Sequence, residues 1–203
     1  NTALYAAELP QIQWTSPEDK IFTLAQARFF RAFAYRNLAE LFGGVPLVKN
    51  ITPTPKYDYQ RATRLETYQF AIDEMEAIIN DFPVTTEEAG RLVRAAVQHN
   101  LAQLYIDKGV CLESEGQDPK EAYNTAIRYA NDIIDSGTYQ LMTERFGSRK
   151  DENPEFYYAA TIADKVPEHA YSKAGYPIEG NVYWDLYQIG NQDYQNGNTE
   201  AIW

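Results

Sequence analysis

The run from Ala25 to Val48, AQARFFRAFAYRNLAELFGGVPLV, leaves this chain few folds to choose from. Leu24, Ala27, Arg31, Ala34, Tyr35, Leu38, Leu41 and Phe42 recur at steps of three and four residues, with Phe29, Phe30 and Phe33 as a second apolar stripe beside them. That is helical periodicity, and two stripes predict a helix covered on more than one side. Gly43 is free to take the left-handed conformation that closes a helix, while Pro46 forbids helix and pushes Val45 towards β. The helix is therefore expected to end at Phe42 or Gly43 and the chain to leave it extended.

The same pattern returns downstream. Arg31 to Phe42 (RAFAYRNLAELF) and Arg94 to Tyr105 (RAAVQHNLAQLY) agree at arginine, alanine, asparagine, leucine, alanine and leucine. A colinear match sets Glu66, Tyr68, Ala71, Ile72, Ile78 and Ile79 over Glu121, Tyr123, Ala126, Ile127, Ile133 and Ile134. The chain then reads as helix A (about 23 to 42), helix B (about 65 to 80), helix A′ (about 91 to 108) and helix B′ (about 119 to 136). Asp118 is expected to cap helix B′ with Pro119 in its first turn, and Gly109 and Gly137 to end A′ and B′. Leu101, Ala102, Tyr105 and Gly109 fall at the spacing of a tetratricopeptide first helix, yet the A helices are 63 residues apart, far beyond the roughly 34 of the standard unit. The fold class is thus all-α dominated, with tetratricopeptide-like antiparallel helix pairs and long loop-rich insertions. Leu38 and Leu101, equivalent in the repeat, are both expected in the core.

Residues 1–203 are expected to form one domain, with a helical core over 23–136 and a different region over 137–203. The latter holds 8 of the 16 tyrosines and 6 of the 11 glycines but only two leucines, which stops a regular helical solenoid. Tyrosine with asparagine and glycine is a composition that binding loops use.

Composition narrows the chemistry. The net charge of −11, with no clustered basic residues, argues against nucleic acid. Cys111 is the single cysteine, so an internal disulfide and any multi-cysteine metal site are excluded. No apolar run reaches the roughly 20 residues that span a bilayer, and the opening Asn1 leaves a targeting segment expected upstream. No HExxH, GxSxG or glycine-rich phosphate loop occurs. His99 is expected to be a packed helical residue. Asp151, Glu152, Glu155 and Asp185 could be offered as a glycosidase acid and base, but no spacing singles out a pair. No catalytic residue, metal or cofactor is assigned, and the chain is not expected to be an enzyme.

Four motifs in order carry a resemblance: AQARFFRAFAYRNLAELFGGVPLV at 25–48, GRLVRAAVQHNLAQLYI at 90–106, AIRYANDIIDSGTYQL at 126–141 and DLYQIGNQDYQNGNTEAIW at 185–203. With these the chain resembles the SusD/RagB family of outer-membrane lipoproteins of Bacteroidota, the first motif being the specific one. The resemblance implies a fragment: family members begin earlier, with a signal peptide, a lipidated cysteine and further helix of which Asn1 to Ala7 is the tail. They also continue beyond Trp203, which is expected in the core. It implies a surface-exposed lipoprotein of the outer membrane, held only by an upstream lipid anchor absent from this chain. Its partners would be a SusC-like TonB-dependent transporter and an oligosaccharide, or a peptide in the RagB-like branch. The motifs mark scaffold: Arg28 and Arg31 satisfy buried groups, Gly43 and Gly44 shape the turn, and Pro46 fixes the exit.

A pyranose presents an apolar C–H face and a polar rim, so flat aromatic side chains with amide or carboxylate neighbours suit it. The candidates are Trp14, Tyr176, Tyr183 and Trp184, with Asn181 and Asp185 as polar neighbours. Trp14 lies between Pro10 and Pro17, where a rigid loop could hold it exposed, and Trp184 adjoins the closing motif, which leaves a packing role equally open. The rival reading is a tetratricopeptide-like scaffold that recognises protein in a groove lined by its own helices.

Overall fold

The computed structural model describes residues 1–151, 155–156, 176–177 and 180–203. They form two compact units, Asn1–Thr138 with Trp203, and Tyr139–Ile202. The first is helical: α1 (Thr2–Ala6), α2 (Pro17–Phe42), α3 (Arg64–Glu76), α4 (Arg94–Ser114) and α5 (Lys120–Ile134). Side-chain contacts give the register. Tyr35 meets Phe70 while Arg28 meets Glu74, and Tyr105 meets Tyr129 while Gly109 meets Tyr123. In both pairs one partner rises as the other falls, so α2/α3 and α4/α5 are antiparallel hairpins, and the fold is the helix-paired one the repeat predicts.

The helix ends follow capping chemistry. Ser16 Oγ accepts from Asp19 N–H (3.1 Å) with Pro17 in the first turn, which starts α2 at Pro17 rather than 23. Thr63 and Glu66 form a reciprocal capping box at the start of α3. That helix stops at Glu76, and a 3₁₀ turn over Ile79–Asp81 completes the predicted stretch. Helix α5 starts at Lys120, one residue later than expected, with the Asp118 carboxylate accepting from Lys120 N–H.

Gly109 corrects the expectation for A′. The helix passes through it to Ser114, because this glycine is a notch rather than a stop: a Cβ there would lie 2.3 Å from the Tyr123 ring of α5. Gly109→Ala is expected to cost about 1–3 kcal/mol by overpacking, read as a lowered thermal midpoint. An unchanged midpoint would show that the hairpin can spread at no cost.

The core is also distributed differently from the sequence pattern. On α2 the buried residues are Ala25, Phe29, Ala32, Tyr35 and Ala39, whereas Phe30, Leu38, Leu41 and Phe42 are exposed. Leu38 is 37% exposed and its repeat equivalent Leu101 0%; Leu41 and Leu104 differ in the same way. The reason is position in the stack: α4 packs against both α3 and α5, while α2 lies mainly on α3. His99 is exposed on α4 rather than packed. Trp203 is likewise 54% exposed, its ring edge-on to Phe29 and its indole N–H donating to Gly90 O (3.1 Å). Leu38→Asp is therefore expected to cost about 1–2 kcal/mol in a denaturant titration, the worth of the covered part of the leucine, and far less than the same change at Leu101; an equal loss at the two positions would mean that the face is fully covered.

The insertion after α2 is anchored from both sides. Gly43 takes φ +73°, and a Cβ on Gly44 would collide with Ala62 O. Arg61 donates to the carbonyls of Phe42 and Gly44. Tyr35 Oη accepts from Val48 N–H (2.7 Å), tying the extended strand-like segment to the helix. The second unit contains the two-residue antiparallel strands β1 (Glu155–Phe156) and β2 (Tyr176–Pro177) and the short helix α6 (Val182–Leu186).

Candidate functional site

Helix α6 and its N-cap residue carry four of the six candidate ligand residues. Asn181 is its N-cap, its Oδ1 accepting from Trp184 N–H (2.9 Å). Four residues apart on one helical face, Tyr183 and Tyr187 are 66% and 70% exposed. Their rings meet edge to face at 5.2 Å, and their hydroxyls lie 3.4 Å apart. The hydrogen bond to Tyr183 raises the Tyr187 hydroxyl above its ordinary value. The sequence reasoning missed Tyr187, although the four-residue spacing from Tyr183 was the signal for it.

Trp184 faces two cations. The guanidinium carbons of Arg145 and Arg149 lie 5.5 and 5.1 Å from its ring centroid, within cation–π range. The next residue, Asp185, is fully buried. Its carboxylate accepts from Arg145 Nε (2.6 Å), Arg145 Nη2 (3.0 Å) and Phe146 N–H (3.1 Å). Burial pushes this carboxyl up, but the hydrogen bonds from Arg145 and Phe146 outweigh it and hold it below the ordinary range. Asp185 therefore orients Arg145 beneath Trp184; it does not stand on a ligand-facing rim.

The closing motif builds the floor under this helix. Asn191, 2% exposed, donates to Asp185 O (3.0 Å) and Phe146 O (3.4 Å), and Asn198 donates to Asn191 O (2.9 Å). Glu200 accepts from Met142 N–H (2.6 Å), and Thr199 and Gln140 exchange two hydrogen bonds. Asparagines that read as loop composition are here buried braces whose amides satisfy carbonyls. Asp185→Asn is expected to speed amide exchange at Phe146 roughly tenfold, the worth of about one charge-assisted hydrogen bond. Exchange at the parent rate would show the carboxylate charge to be dispensable.

The remaining candidates lie elsewhere. Trp14 is half-buried in the first unit, between α1 and α2. Tyr176 is described by its backbone alone, paired with Phe156, and its side chain lies outside the described residues, as does Glu152. Among the described residues no three His, Cys, Asp or Glu side chains gather to hold a metal ion, and no helix is long and apolar enough to cross a membrane.

Comparison with known proteins adds a family. The family model for SusD-like proteins, described as starch-binding associating with outer membrane, matches residues 2–106. No curated protein matches the chain. Among solved structures, one crystallised with a xylogluco-oligosaccharide is 21% identical with a TM-score of 0.60, over 71% of this chain and 28% of that one. A SusD superfamily protein from Bacteroides thetaiotaomicron is 22% identical with a TM-score of 0.59, over 70% and 31%. A SusD-like carbohydrate binding protein from Bacteroides fragilis is 23% identical with a TM-score of 0.53, over 68% and 26%. At these identities the likeness is one of fold, and the chain spans less than a third of the length of each of these structures.

Proposed function

We propose, for a chain that belongs to the SusD-like family of starch-binding proteins associated with the outer membrane, the part of a cell-surface glycan-binding subunit. In this reading the protein is a surface-exposed lipoprotein that hands oligosaccharide to a SusC-like TonB-dependent transporter. The observation that carries it is the family match across α1 to α4, from residue 2 to residue 106. The helical core of residues 23–136 is the scaffold, and residues 137–203 supply ligand contacts. Tyr183 and Tyr187 form the exposed platform, with Trp184 as further aromatic surface and Asn181 as an amide on its rim; Trp14, in the first unit, and Tyr176 are separate candidates for ligand contact. Binding without hydrolysis is the expected chemistry.

One observation supports a protein partner as well. Phe30, Leu38, Leu41 and Phe42 leave α2 with exposed apolar side chains, a surface suited to packing on another protein. In the present reading that partner is the transporter; in the rival reading it is the ligand of a tetratricopeptide-like scaffold, or a peptide as in RagB-like members.

A glycan array on the protein tests the reading, followed by calorimetric titration of the selected oligosaccharide. Binding without release of reducing ends is the expected result, with Tyr183→Ala weakening it about tenfold at an unchanged thermal midpoint. A blank array beside capture of a peptide would transfer the assignment to the peptide-binding branch. Release of reducing ends, abolished by a carboxylate substitution, would make the protein an enzyme.

A further inference from the structure

The structure contains a polar cleft that the candidate residues do not touch. It lies in the first unit, where the segment leaving α2 turns back on itself before α3, and it has a volume of about 530 Å³. One wall is the extended run Pro46–Pro53, and the other carries Lys56, Asp58, Tyr59 and Gln60. A second cleft of about 400 Å³, lined by Leu4, Tyr5 and Arg31, shares Lys49, Asn50 and Ile51 with the first. Both volumes fall within the range of small-molecule sites. The shared wall is held in place by Tyr35, whose hydroxyl accepts from Val48 N–H, and by Arg31, which donates to Lys49 O (3.0 Å).

Its chemistry is unusual for this chain. Tyr5 and Tyr59, one in each cleft, are 53% and 40% exposed, so each cleft offers a flat aromatic surface. The Lys56 ammonium lies 5.1 Å from the Tyr59 ring centroid, and the Lys49 ammonium 5.2 Å from that of Phe70. Among the described residues, neither lysine has a carboxylate within salt-bridge distance. Arg31 is different, being neutralised by Glu74. In a chain with a net charge of −11, two lysines in the lining of a cleft that holds one aspartate make a local excess of positive charge. That excess favours an anionic ligand.

We infer that these joined clefts bind a carboxylate-bearing oligosaccharide, a uronic-acid glycan, with its sugar faces on Tyr59 and Tyr5 and its carboxylates towards Lys49 and Lys56. Asn50 and Gln60 supply amides for the hydroxyl rim. The inference rests on the glycan-binding reading above and adds to it a site and a charge class. The aromatic rings favour a sugar over a bare inorganic anion, because a pyranose has the apolar face that stacks on them. The lysines favour an acidic sugar over a neutral one.

Calorimetric titration of the protein with trigalacturonate, and with maltotriose as the neutral counterpart, tests the inference. Trigalacturonate is expected to bind at least tenfold more tightly at low salt, and to lose most of that preference at high salt as the lysine charges are screened. Lys49→Gln with Lys56→Gln should weaken trigalacturonate about tenfold or more and leave the thermal midpoint unchanged. Tyr59→Ala should weaken it several-fold, and Tyr59→Phe should retain most of the binding, because the ring rather than the hydroxyl meets the sugar. Equal affinity for the two sugars overturns the inference, as does trigalacturonate binding that survives the double lysine substitution, or no binding of trigalacturonate at millimolar concentration. An array positive only for neutral glycans would refute this site and keep the glycan-binding reading, whereas a blank array would refute both.

Discussion

Leu101→Asp is expected to leave the first unit unfolded. Leu101 is 0% exposed on α4, a helix packed on α3 and α5. Removing the leucine forfeits its burial and leaves a void, together worth about 2–5 kcal/mol. The aspartate then either ionises in an apolar interior or binds a proton to avoid doing so, and both routes add several kcal/mol. A sum of this size matches the whole stability of an ordinary domain, about 5–15 kcal/mol. Far-ultraviolet circular dichroism should lose most of its helical signal, while Leu38→Asp, at the equivalent repeat position, should give the parent spectrum. A folded Leu101→Asp protein with a parent-like melt would mean that α4 is not enclosed as described.

That contrast also shows what was legible in the sequence. The periodicity of RAFAYRNLAELF and RAAVQHNLAQLY carries helix identity, and the two copies do agree where a side chain acts on its own helix. Asn37 donates to Phe33 O (2.8 Å), and Asn100 to Ala96 O (2.9 Å). Burial is another matter, because it depends on how many neighbours a helix has in the stack, and no periodicity within a helix records that. Leu38 and Leu41 lie outward where Leu101 and Leu104 lie inward. Ile72 is buried, and its counterpart Ile127 on the last helix pair is 57% exposed. Gly109 shows a similar limit: a helix-ending glycine and a glycine that admits a tyrosine ring look alike until the partner helix is in place.

The candidate site was legible only in part. Aromatic composition led to α6, and Tyr183 is exposed there as a platform requires. Asp185 is its neighbour in sequence, yet successive helical residues face different directions. Its carboxylate is turned inward onto Arg145 and Phe146. The lysine-lined cleft leaves no mark in the sequence because Lys49 and Lys56 belong to no periodic element, and only the folded insertion brings them to one cleft.

Glu74 supplies the second large effect. Its carboxylate receives Arg28 (3.2 Å) and Arg31, with Arg31 Nε at 3.0 Å, and so ties α3 to the most recognisable motif of the chain. Glu74 and Arg31 have side chains only 12% and 14% exposed, whereas Arg28 is 31% exposed. Breaking a fully buried pair costs about 3–5 kcal/mol because a charge is left unmatched. Solvent around Arg28 screens part of that, leaving about 2–3 kcal/mol for Glu74→Gln. Burial raises the Glu74 carboxyl, but the hydrogen bonds and charges of Arg28 and Arg31 more than reverse it, so the folded value lies below the ordinary 4.5. A depressed carboxylate contributes stability in full above its unfolded value and loses it as pH falls through its folded value. Urea titrations at neutral and acid pH should therefore show parent and Glu74→Gln far apart at pH 7 and converging in acid, once the parent carboxyl is also neutral. Restoring part of the loss with Arg31→Leu in the same chain would assign it to the unmatched guanidinium, since removing both charges spares the penalty of leaving one. A gap between parent and variant that stayed constant across pH would mean Glu74 acts by packing alone, and no gap at neutral pH would remove the ion cluster from the account of how α2 is held.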